Sequence, residues 1–83
     1  MKVTVLLSSG DEDEWEDVAD ALPSDGALYV VSLPDIFKPT DRTFSVTESV
    51  PNSGNLVGLH DQTTVYKLEA LYAPGMWMKV QFE

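Results

Sequence analysis

The 83-residue sequence predicts an α+β fold in a single domain, residues 1–83: one acidic amphipathic helix packed on a mainly antiparallel sheet of about five to six short strands. Three observations carry this expectation. Apolar positions after the first apolar run change from strand-like to helical spacing. Residues 43 to 50 alternate apolar and polar. The last twenty residues hold two alternating segments on either side of Ala73-Pro74-Gly75.

Val3 to Ser8, VTVLLS, is a short, partly β-branched apolar run and reads as a buried strand. Ser9 to Glu12 then has the S-x-x-E spacing of a capping box, and Trp15, Val18, Ala19 and Leu22 recur at i, i+3, i+4 and i+7. This pattern predicts a helix from about Gly10 to Leu22, ended by Pro23 and Gly26. Leu28 to Leu33, LYVVSL, is a second apolar run. With a helix between the two runs, the N-terminal part is expected to form a parallel βαβ crossover.

Pro34 to Asp41 carries two prolines and reads as a loop. In Thr43 to Val50, Phe44, Val46 and Val50 share a side with Glu48, while hydroxyl residues occupy the other, as in a half-buried strand. Residues 51 to 55, PNSGN, are turn chemistry, Leu56 to His60 a short apolar piece, and HDQT at 60 to 63 another turn. The chain is then expected to end in a hairpin, completing a meander. A three-residue loop at Ala73-Pro74-Gly75 sets Leu68 opposite Val80, Tyr66 opposite Phe82 and Glu69 opposite Lys79. In that register Trp77 lies opposite Leu71 on the outer face.

Charge is concentrated. Residues 9 to 26 hold eight acids and no base; the rest of the chain holds six acids against five bases, within a net charge of -9. On a helical wheel Asp13, Glu16, Asp17 and Asp20 lie opposite the Trp15 stripe, with Glu12 and Glu14 on its shoulders. Like charges at i,i+3 and i,i+4 repel by roughly 0.2 to 0.5 kcal/mol each, and no lysine relieves them. A local rule broken without local compensation marks a functional surface. Carboxylates on neighbouring turns lie roughly 5 to 6 Å apart, of the order of successive phosphates, so the stripe suits a groove lined with Lys and Arg.

Other chemistries are narrowed by composition. There is no cysteine, which excludes disulfides and thiolate sites, and a single histidine, His60, whose neighbour Asp61 does not make it a dyad. The chain is expected to be non-enzymatic, without cofactor or metal site. Trp15 stands where a calcium loop would need a third oxygen ligand. Ser8-Ser9-Gly10 has the position of a phosphate loop, but the acids that follow would repel phosphate. The net charge likewise opposes direct binding to nucleic acid or anionic membrane. No apolar run is long enough for a signal-peptide core or a membrane span, so a cytoplasmic location is expected.

In size, charge and charge placement, the chain resembles the small acidic nucleic-acid mimics that phages direct against host defence, the anti-restriction and anti-CRISPR proteins. The resemblance carries no shared motif and assigns no residues. It implies a phage-encoded inhibitor in the host cytoplasm, blocking the positively charged groove of a nucleic-acid-binding protein or complex. Asp13, Glu16, Asp17 and Asp20 would make the main contacts, Glu12 and Glu14 the rim, and Trp77 an apolar anchor. The alternative is a small structural or adaptor domain that binds through its sheet or hairpin while the acids face water.

Overall fold

The protein is described from a computed structural model covering residues 1–51 and 58–83. It has no helix among these residues. Seven strands follow in order: β1 (Val3–Leu7), β2 (Glu12–Trp15), β3 (Asp20–Ser24), β4 (Ala27–Ser32), β5 (Thr43–Pro51), β6 (Leu59–Tyr72) and β7 (Trp77–Phe82). They form two antiparallel sheets, one ordered β2-β1-β7 and the other β3-β4-β6-β5. The expected α+β class, with its helix on a sheet, is therefore replaced by an all-β architecture.

The acidic segment shows why. Gly10, at φ 94, turns the chain back on itself, and the Leu7 N–H donates to the Asp11 carbonyl at 2.8 Å. β2 then runs antiparallel to β1, with Val5 opposite Asp13 and Val3 opposite Trp15. An extended chain sends successive carboxylates to opposite sides, whereas a helix would stack them on one face. Asp17 at φ 56 breaks the segment again before Val18 enters the core. Asp25 and Gly26, at φ 51 and 84, supply the two left-handed residues of a type I′ turn, so β3 and β4 form a tight hairpin with Leu22 opposite Tyr29. The βαβ unit is thus replaced by two hairpins, since the short link between β1 and β4 gains more from local antiparallel pairing than from a crossover.

The expected C-terminal hairpin is also overturned. Met76 N–H donates to the Ala73 carbonyl at 3.0 Å in a turn that carries the chain from one sheet to the other. β7 pairs with β1, Val5 opposite Val80, and does not pair with β6. With the two segments in different sheets, Ala70 and Tyr72 from one and Trp77 and Val80 from the other pack half-buried against the same core. Glu69 lies beside Lys67, at 3.7 Å, and accepts a hydrogen bond from Ser32 Oγ at 2.8 Å.

Val3, Val5, Val18, Ala21, Leu28 and Val30 form the buried core, flanked by half-buried Leu7, Trp15, Ala70, Tyr72, Trp77 and Val80. A bulge between Val30 and Val31, where Ala70 pairs with Val30 and Leu68 with Val31, reverses the sidedness of β6. Ala70 and Tyr72 face the core. Leu68 and Tyr66 lie on the other face of the sheet, where the rings of Tyr29 and Phe44 stack with centroids 4.4 Å apart.

β4 ends at Ser32, opposite Lys67, so among the described residues the earlier part of β6 pairs with β5 alone. The result is a projecting two-stranded arm, and the molecule measures 50 Å along its longest axis against 27 and 23 Å. The arm runs through residues 60 to 63, expected to turn, because His60, Asp61, Gln62 and Thr63 each have a partner across the ladder. The predicted turn at 51 to 55 and the apolar piece at 56 to 60 fall largely outside the described residues. No helix among the described residues is long and apolar enough to cross a membrane.

Candidate protein-binding site

The acids expected on one helical face are distributed by the strand. Glu12 and Glu14 stand exposed on one side of β2, while Asp13 and Trp15, half-buried, point to the other. Glu16 and Asp17 are exposed in the link to β3. At a rise of about 3.4 Å per residue, the Glu12 and Glu14 carboxylates are roughly 7 Å apart along the strand. With Asp11 in the preceding turn, five exposed carboxyl groups line one free sheet edge and its continuation.

Asp13 and Asp20 leave the stripe. The Tyr72 hydroxyl donates to Asp13 Oδ2 at 2.7 Å, and the hydroxyl oxygen accepts from Trp15 Nε1 at 2.8 Å. Burial of the phenol is the main reason its pKa is pushed up to about 12, and the bond to Asp13 adds to the effect; the Trp15 donor works against it. Asp20, half-buried on β3, accepts from the Ala21 N–H at 2.8 Å. Lys2 bridges Glu14 at 3.4 Å and Glu83 at 3.6 Å, and Glu14 above all, by hydrogen bond and charge, raises the lysine pKa.

Trp77, expected on the outer face, is half-buried. It sits on β7, at the opposite edge of its sheet from β2, packs half-buried against the core and donates from Nε1 to the Gly26 carbonyl at 2.9 Å. The expected register placed it outside; pairing with Leu7 of β1 turns it in.

Sequence reasoning missed a cleft of about 450 Å³ with mainly apolar walls, lined by Leu7, Ser8, Ser9, Tyr72 and Met76. Ser8 ties its two sides together: its N–H donates to the Met76 carbonyl at 3.1 Å and its hydroxyl to the Gly75 carbonyl at 2.6 Å. Ser9, expected as a helix cap, donates to Asp11 Oδ2 at 3.3 Å. No local signal marks Tyr72 for this place, because Leu7, Ser8 and Ser9, which line the cleft with it, come from the other end of the chain. An apolar cleft beside a row of carboxylates suits the stem and charged head of a lysine or arginine side chain.

Among the described residues, no group of three or more His, Asp or Glu side chains is placed to hold a metal ion. No protein-family model matches the chain, and no curated protein or solved structure was found to be similar to it.

Proposed function

We propose that this protein is a non-enzymatic inhibitor, of the kind phages encode, that occupies the nucleic-acid-binding groove of a host defence enzyme by charge mimicry. The observation that supports the reading most is the exposed acidic edge: Asp11, Glu12, Glu14, Glu16 and Asp17 on the β1–β2 hairpin and the link after it. An extended row of carboxylates at the free edge of a sheet reaches into a basic groove as a single strand of phosphates would. The adjoining cleft takes the aliphatic part of a basic side chain.

The test compares the wild type with a variant carrying Glu12→Lys, Glu14→Lys, Glu16→Lys and Asp17→Asn. Asparagine is used at position 17 because it tolerates the left-handed backbone there. The wild type is expected to retain a nucleic-acid-binding enzyme from a host lysate at low salt, to release it to competing nucleic acid, and to lose it on reversal of the edge. Equal retention by both proteins would reject the reading. The second reading, an adaptor binding through its sheet, is favoured by the projecting arm and by exposed Leu71, Met76 and Met78.

A further inference from the structure

Among the described residues the outer edge of β5 is unpaired, because β5 closes one side of its sheet. The Leu68 N–H donates to the Arg42 carbonyl at 2.8 Å, which fixes the alternation of the ladder. Even-numbered residues of β5 turn their backbone groups toward β6, and Thr43, Ser45, Thr47 and Ser49 turn theirs outward. An edge of this length, β-branched and free of proline until Pro51, is a template for another strand.

Its side chains say which strand. Arg42 and Glu48 are exposed, lie on the same face as Phe44 and Val46, and have no ion pair among the described residues. In an antiparallel two-fold pairing centred on Ser45, Arg42 falls opposite Glu48 twice, Phe44 opposite Val46 twice and Thr43 opposite Thr47 twice. Within residues 42 to 48 both charges meet their opposites and both apolar residues meet an apolar one. Centring on Thr47 sets Val46 against Glu48, and centring on Val46 sets Phe44 against Glu48. A centre between residues mixes the two faces. The outward backbone groups of Ser45, Thr43 and Thr47 are those that the Ser45-centred pairing bonds.

Two molecules of net charge -9 repel, and the arm is where they repel least. Its described residues in 43 to 51 and 59 to 66 include Glu48 and Asp61 as their only acidic side chains, with no lysine or arginine, and the acidic edge belongs to the other sheet. We propose that the protein forms a two-fold dimer by antiparallel pairing of β5 with β5 of a second copy, centred on Ser45, with Arg42 of each copy paired to Glu48 of the other. This goes beyond the proposed inhibitor role and stands independently of it.

Sedimentation across a dilution series tests it. The wild type should rise from its monomer mass of 9.2 kDa to twice that mass as concentration increases toward about 1 mM, the weak end of specific association. Arg42→Glu and Glu48→Arg should each remain monomeric with an unchanged circular dichroism spectrum, and mixing them in equal amounts should restore the dimer, since all four charges then match. Ser45→Pro, which removes an outward N–H and spares the bonds to β6, should abolish it. A wild type that stays monomeric throughout would overturn the proposal and leave the edge to a strand from a different protein. Dimers of the single charge variants, or of Ser45→Pro, would overturn it as well. Reversal of the acidic edge should leave the dimer intact, so the two proposals fail separately.

Discussion

Tyr72 joins the two sheets through a single oxygen atom. That oxygen accepts from Trp15 and donates to Asp13, so Tyr72→Phe leaves a half-buried indole N–H and a half-buried carboxylate without this partner. The expected loss is about 1 to 3 kcal/mol of unfolding free energy, read from urea denaturation. The hydroxyl also makes stability depend on alkaline pH. Its pKa is raised to about 12 in the fold from 10.0, so the protonated form is favoured by folding. The contribution is complete below pH 10 and is lost as pH rises through about 12. Tyrosinate absorbance should therefore show a late-titrating tyrosine near pH 12 in the folded protein, absent from Tyr72→Phe.

At the scale of single elements, turns decide the fold. Gly26, at φ 84, has Pro74 Cβ 3.3 Å from where its own Cβ would stand, whereas Gly10, at φ 94, has nothing within 4 Å. Both Gly26→Ala and Gly10→Ala incur the left-handed strain of about 1 to 2 kcal/mol, and Gly26→Ala should cost more because Pro74 must also give way. Thermal melts of the two variants measure the difference. The strands around these turns were legible where periodicity is local: VTVLLS, LYVVSL and TFSVTESV lie on β1, β4 and β5. The helix was misread because Trp15, Val18, Ala19 and Leu22 satisfy helical spacing while lying on two strands and a link. The decisive signal was present. Asp25-Gly26 between apolar runs is a hairpin turn, although Pro23 and Gly26 also fit the end of a helix. The partner of β7 had no local signature, since its pairing with β1 joins the two ends of the chain. Of the expected site, Glu12, Glu14, Glu16 and Asp17 are exposed together, while Asp13 and Trp77 are taken up by contacts that span the fold and Asp20 by a bond to the neighbouring Ala21 N–H.

Across the whole molecule, a core in one part and a two-stranded arm in another imply two levels of stability. Amide hydrogen exchange should be slowest in β1 and β4, whose valines are fully buried, and faster in residues 59 to 66 of β6, which among the described residues pair with β5 alone. The separation of charge from the arm gives opposite salt responses. Added salt should weaken capture of a basic partner by the acidic edge and strengthen self-association, because the repulsion between two copies is long-ranged and screened first. The bulge at Glu69 has a wider consequence. It resets the phase of the strand by one residue, so inside and outside are defined independently on its two sides. Substitutions in the arm can then be selected for what they touch outside without altering the pattern that fills the interior, and a deletion at Glu69 would bind the two patterns together again.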